Sequence, residues 1–233
     1  DWTPGNPPVP ESSADHGRWA SHAERHLREI DHPSQVANIS KGQIVKLAKN
    51  GIVTMAGLAA HCPEHIPGIG DDVLKRLKRQ AQLQIESSGL EKPLYELLPV
   101  SPDYPNLGLA ALPPPSALDV YFDMEGYPAR NDWLEYLFGA VYLQDGEVQF
   151  KDWWAHNEIQ EKAAFEAFLD WVYARWLRDP TMHIYHYAAY ETTAIKRLMG
   201  KYGSREDQVD ALLRANVFVD LYAIVKRSLL VGE

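Results

Sequence analysis

Leu118-Asp119-Val120-Tyr121-Phe122-Asp123-Met124-Glu125 governs how the rest of the chain is read. Leu118, Val120 and Phe122 alternate with Asp119, Tyr121 and Asp123, the period of a strand with one buried face. Asp123 and Glu125, two residues apart at the end of that strand, point to the same side. Carboxylates held together repel each other, and burial adds to the cost. A divalent cation removes the conflict, because hard ions such as Mg²⁺ or Mn²⁺ take oxygen ligands from few carboxylates and from substrate phosphates. Two such ions can activate a water and stabilise the leaving oxygen in phosphodiester cleavage. The same pair also fits a solvated strand end that carries two charges.

Toward the C-terminus, residues 134–143 and 147–154 are aromatic-rich and flank Asp145-Gly146, a hairpin signal. Glu158 to Leu177 has helical periodicity and stops before Asp179-Pro180. Met182 to Tyr187 is a short apolar-aromatic strand, and residues 190–200 read as a helix ending at Gly200. A short helix at 205–214 leads to a strand at Val217-Phe218-Val219-Asp220, and a last helix fills 221–230. The order is β-β-β-α-β-α-α-β-α, three antiparallel strands followed by αβ units, which matches an RNase H-like order. His186-Tyr187-Ala188-Ala189-Tyr190-Glu191 ends one strand and opens the next helix. In that order Glu191 joins the acidic pair; alone, it is an ordinary first-turn glutamate favoured by the helix dipole. Asp220 either caps the following helix or faces the carboxylates. His186 reads as a packing or hydrogen-bonding histidine, and His183, His156 and Trp153-Trp154 lack metal-site spacing.

Toward the N-terminus the character is different. Residues 1–16 are Pro-rich and read as a linker. Helices are expected at 17–30, with Trp19, Ala23 and Leu27 on one face, and at 34–49, ending near Asn50-Gly51. Thr54 caps a short helix through Ala60. A longer helix runs from Asp71 to Glu86, with Val73, Leu74, Leu77, Ala81 and Ile85 as its apolar stripe. The preceding Ile66-Pro67-Gly68-Ile69-Gly70 resembles a helix-hairpin-helix motif. There the glycines allow a tight turn, and backbone N–H groups at the helix start face a phosphate without reading sequence. Gly68, Ile69, Gly70, Lys75, Arg76 and Arg79 are the candidate nucleic-acid contacts, with Lys78 as a further nearby cation. Asp71 and Asp72 would oppose a phosphate, and a purely structural hairpin is the alternative. Residues 91–116, rich in Pro and Gly, read as a boundary between a helical domain at 17–90 and an α/β domain at 117–233.

The net charge of −9 argues against a general nucleic-acid binder, but its distribution matters more. Residues 1–100 hold 11 basic and 12 acidic side chains, and residues 101–233 hold 12 and 20. The acidic half is either a solvated surface or a collection of carboxylates around cations, whose charge would reverse the local field. The single cysteine, Cys62, excludes an internal disulfide and a cysteine-based metal cage. No long apolar run or signal-peptide pattern exists, so a cytoplasmic protein that does not engage a membrane is expected.

Several ordered segments carry a family resemblance. They are Leu112-Pro113-Pro114-Pro115 leading to Asp119–Gly126, then Leu134–Gly139, His183–Ala188, Tyr190-Glu191 and Val219–Tyr222. With Leu77–Gln84 in the helix after the hairpin, they resemble the YprB-like RNase H domain of predicted RecB-family nucleases over roughly residues 17–233. The resemblance implies an α/β fold: an RNase H-like mixed sheet flanked by helices, preceded by a small all-α helix-hairpin-helix domain. It implies a DEDD-type 3′–5′ exonuclease using Mg²⁺ or Mn²⁺ on DNA or RNA. Asp123 and Glu125 match the first motif. Glu191 stands where the second motif usually ends in Asp, and Asp220 matches a recurrent Asp near the site. The partners implied are nucleic acid and the helicase and RecB-like nuclease domains of a parent chain. The last acid of the set is expected beyond Glu233, so the isolated chain need not be active. Relatives often carry a cysteine cluster before the hairpin module, whereas residues 1–35 hold none. The rival expectations are a non-catalytic nucleic-acid-binding or docking module with a degenerate RNase H fold, and a fragment that mainly contacts proteins.

Overall fold

A computed structural model describes residues 16–100, 106–127 and 133–233. The Pro-rich residues 1–15 expected to form a linker lie outside the described residues. The chain divides into two compact units: Asp1–Leu97 with Leu229–Glu233, and Leu98–Ser228.

The first unit is built from α1 (Ala20–Glu29), α2 (Lys41–Lys49), α3 (Met55–His61) and α4 (Asp71–Ser87). The helix expected over 34–49 starts later. Residues Pro33–Gln35 form a 3-10 turn, Asn38 is left-handed, and Ser40 and Gln43 close a reciprocal capping box that fixes the start of α2. Thr54 accepts from Gly57 N–H and starts α3 as expected. Leu47, Leu58, Ile66, Leu74, Leu77 and Ala81 form the core. Val73 and Ile85, expected in the α4 stripe, are exposed instead. The buried face turns toward Gln80 and Leu83, because Gln80 donates to the Val231 carbonyl at 2.6 Å. Val231 belongs to strand β7 (Leu229–Val231), which pairs antiparallel with β1 (Tyr95–Leu97). Neither strand follows from the sequence reading, which put Tyr95–Leu97 in a linker and Leu229–Leu230 in a helix.

The second unit holds the mixed sheet. Strands β2 (Val120–Tyr127), β3 (Leu134–Gln144) and β4 (Glu147–Trp154) form an antiparallel meander. Asp145 and Gly146 both adopt positive φ between β3 and β4, the backbone of a tight hairpin turn. The chain continues through α5 (Glu158–Arg178), β5 (Ile184–His186), α6 (Tyr190–Tyr202), α7 (Glu206–Arg214), β6 (Phe218–Asp220) and α8 (Leu221–Ser228). β5 pairs parallel to β2 and to β6, giving the order β4-β3-β2-β5-β6. Three antiparallel strands followed by parallel ones, flanked by helices, make the RNase H-like architecture the sequence order predicts. Val120, Phe122 and Met124 bury one face of β2 against Phe165, Phe168 and Leu169 of α5 and Ile195 of α6. Phe122 stacks on Phe168 at 4.0 Å. The opposite face of β2 carries Tyr121, Asp123 and Glu125. Helix α6 does not stop at Gly200. It runs to Tyr202, and Gly203 ends it with a left-handed backbone at φ +53°.

Candidate active site

The alternation of β2 sets the site. Val120, Phe122 and Met124 must face the helices, so Asp123 and Glu125 face away from them. Just beyond, the pairing with β3 shifts register between Glu125 and Gly126, a bulge that re-aims the strand end. The parallel pairing of β5 with β2 lays the segment after His186 beside the acids. There Ala188 takes a left-handed backbone at φ +67°, and α6 begins at Tyr190. Glu191, in its first turn, is 3% exposed. Its carboxyl lies within hydrogen-bonding reach of Asp123.

Asp123 is an exposed residue, yet its carboxyl sits above the ordinary aspartate range. Partial burial is the main cause. A hydrogen bond from Met124 N–H at 3.0 Å opposes it, while the charges of Glu191 and Glu125 push further up. His186 Nδ1 lies 2.7 Å from the Ala188 carbonyl and 3.3 Å from Glu191 Oε2. With the proton on Nδ1 the ring donates to that carbonyl, and Glu191 Oε2 keeps no hydrogen-bond donor. Glu191 is thus a buried carboxyl near Asp123 with one oxygen that no donor reaches, a group that calls for an explanation. Among the described residues, no group of three or more His, Cys, Asp or Glu side chains is arranged to enclose a metal ion. Asp123, Glu125 and Glu191 are oxygen donors of the kind Mg²⁺ takes, and an ion held by them would have to bring part of its own shell.

Asp220 is engaged elsewhere. Its Oδ1 accepts from the N–H groups of Ala188, Tyr222 and Ala223 at 2.9, 2.9 and 3.3 Å. It thus caps α8 and pins the turn that leads to Glu191. His186 is buried and hydrogen-bonded, the packing role expected for it.

Asp123 and Glu125 open onto a cleft of about 510 Å³. Tyr121, Val141, Phe150 and Tyr187 line it, and the Phe150 ring packs over Gly139, which pairs with Asp123. Tyr121 stacks on Tyr185 at 5.2 Å. Phe150 and Tyr187 are largely exposed.

Two buried acids were not found from the sequence. Glu135 on β3 and Glu161 on α5 are both 0% exposed. Glu135 accepts from Trp133 Nε1, Tyr190 Oη and Arg197. Glu161 accepts from Glu135 N–H, Lys201 and Tyr202. A signal existed for the second. Glu161 begins the stripe Ala164, Phe165, Phe168, Leu169 and Val172 at helical spacing, so its position is a core position. Glu135 gave none, because it breaks the alternation of β3 next to buried Leu134.

In the helical unit, Pro67 and Gly68 form the turn between Ile66 and Ile69, with Gly68 at φ +83°. Ile69 is buried, and its N–H donates to the Ile66 carbonyl. Lys46 Nζ donates to the Gly68 carbonyl at 2.6 Å. Arg79 is held by Glu86 and Glu96, Asp71 by His65, and Lys75 is exposed. Gly70 precedes the first turn of α4 and no side chain caps that end. Of the six expected contacts, Gly68, Gly70 and Lys75 are exposed, Arg76 and Arg79 are half-buried and Ile69 is buried.

No helix among the described residues is long and apolar enough to cross a membrane. Residues 120–232 match the family model of the RNase H superfamily. No curated protein and no solved structure matches the chain.

Proposed function

From a nuclease-like RNase H fold over residues 120–232, we propose a divalent-cation-dependent nuclease that cleaves phosphodiester bonds, a DEDD-type 3′–5′ exonuclease on DNA or RNA. The observation that carries the reading is the donorless Glu191 Oε2 buried beside Asp123, with Glu125 on the same strand face. Asp123, Glu125 and Glu191 are the proposed ligands of Mg²⁺ or Mn²⁺. Mg²⁺ is commonly held by one or two carboxylates plus substrate phosphates, so an incomplete protein shell suits an ion completed by the nucleic acid. When bound, such a cation polarises a phosphoryl oxygen and lowers the pKa of a coordinated water. The chain's own groups hold and orient. Asp123 and Glu191 converge across the β2–α6 gap, while His186 holds the Ala188 carbonyl and Asp220 its N–H in the turn before Glu191. The cleft beside them offers Tyr121 and Phe150 as faces for bases. In the helical unit, the N-terminus of α4 at Gly70, with Lys75, would hold a backbone phosphate without reading sequence. Association with RecB-like nuclease and helicase domains of a longer protein belongs to the same reading.

The test is degradation of 5′- and 3′-labelled single-stranded DNA and RNA with Mn²⁺, by the chain and by Asp123→Ala. Stepwise shortening from the 3′ end that disappears in the variant is expected. The absence of a closed three-acid set favours a second reading, a non-catalytic nucleic-acid-binding module. Binding without cleavage, indifferent to Asp123→Ala and to Mn²⁺, would establish that reading and overturn the first.

A further inference from the structure

The elements that carry the acids are joined by a contact the proposed chemistry does not itself use. Gly126 follows Glu125 and pairs with Glu135 across the β2–β3 ladder. A Cβ on Gly126 would lie 2.2 Å from Tyr190 Oη and 2.5 Å from Glu135 Oε2. The space beside the strand is thus filled by the Tyr190–Glu135 hydrogen bond, 2.8 Å long. Tyr190 is the residue before Glu191. One buried carboxyl therefore touches the strand of Asp123 and Glu125 on one side and the helix start of Glu191 on the other.

Helix α6 has a second anchor. Lys201 and Tyr202, in its last turn, meet Glu161, which also accepts from Glu135 N–H at 2.5 Å. Both anchors are buried carboxyls, but only the Glu135 one lies next to the acids. A purely structural role would make the two equivalent for metal binding.

We infer that Glu135 is a positioning residue: through Tyr190 and Gly126 it sets the distance between Glu191 and the Asp123–Glu125 pair. The inference rests on the proposed metal-binding reading. Removing the Tyr190 hydroxyl cuts the contact at the start of α6, one turn or more before Arg197 meets the same carboxyl, while leaving every acid in the chain. The Lys201 anchor serves as the internal control, since its loss loosens the far end of the same helix.

The test uses the whole chain and Mn²⁺, with free ion followed by electron paramagnetic resonance and Tm measured in parallel. Asp123→Ala must first weaken Mn²⁺ binding. Tyr190→Phe, which acts one step further out than a direct partner of a ligand, is then expected to weaken it by up to about 10-fold, the low end of the cost of losing such a partner. Glu135→Gln, which keeps shape, should behave likewise, and Lys201→Met should lower Tm with Mn²⁺ affinity unchanged. On a labelled oligonucleotide, Tyr190→Phe should lower kcat and leave KM in place. If Asp123→Ala weakens binding and Tyr190→Phe does not, the inference fails and the metal-binding reading stands. Equal losses in Tyr190→Phe and Lys201→Met would reduce Glu135 to general support and overturn the inference. If the unmodified chain binds no Mn²⁺, the metal-binding reading fails and takes the inference with it.

Discussion

Asp123 carries a conflict that its substitution should release. Its carboxyl is raised by burial and by the charges of Glu191 and Glu125, so folding favours its protonated form. A raised carboxyl stabilises the fold below the ordinary aspartate value and loses that contribution as pH rises through the folded value. Without divalent ions, Asp123→Asn should therefore raise Tm at neutral pH, and the difference should vanish in acid below the ordinary value of 3.8. A Tm that falls at neutral pH would mean the carboxyl is well solvated. The tyrosines act with the same sign at the alkaline end. Burial, helped by Glu135 and Glu161, pushes Tyr190 and Tyr202 up to about 12 from 10. Their contribution is present below pH 10 and is lost between 10 and about 12. Absorbance at 295 nm should reveal late-ionising tyrosines, one fewer in each of Tyr190→Phe and Tyr202→Phe. At this scale the sequence revealed the acids whose position follows from alternation, Asp123 and Glu125. Glu135 was hidden because a buried carboxyl satisfied by Arg197 and Tyr190 looks, in a list of residues, like a solvated one.

At the scale of elements, periodicity located helices well and their ends less well. Helix α6 illustrates the reason. Two glycines lie near its end, and only Gly203 takes the left-handed backbone. Spacing cannot distinguish them; backbone conformation does. Gly200 sits within the helix with open space around its would-be Cβ, so Gly200→Ala should stabilise by about 0.5–1 kcal/mol. Gly203→Ala forces an L-residue into the left-handed region and should cost about 1–2 kcal/mol. Urea midpoints moving in opposite directions would confirm the assignment. Similarly, α2 begins where Ser40 and Gln43 close a capping box, a local device that outweighs the apolar residues before it.

For the whole molecule, the strand order was legible because each strand of the large sheet carries its own alternation or apolar run. β1 and β7 were not, since three residues hold no period and their pairing joins distant parts of the chain. That pairing has a consequence for stability. Leu229–Glu233 belongs to the helical unit, where Leu230 is 3% exposed and Gly232 packs so closely on Ser87 that a Cβ would lie 1.9 Å from its Oγ. Gln80 and Gln84 of α4 donate to the carbonyls of Val231 and Glu233. Removing residues 229–233 would leave Gln80 buried without its 2.6 Å acceptor and β1 without a partner. Gln80 would keep only its 3.2 Å contact with Gln84, and a lost hydrogen bond costs about 0.5–1.5 kcal/mol. Hydrogen exchange should therefore quicken at α4 and β1 in the shortened chain, while amides of β2, β3 and α5 keep their protection. The sheet unit closes its own ladder and core without the last residues, so the loss should stay within the helical unit. Exchange that quickens equally in β2 and α4 would instead mean that the two units unfold as one.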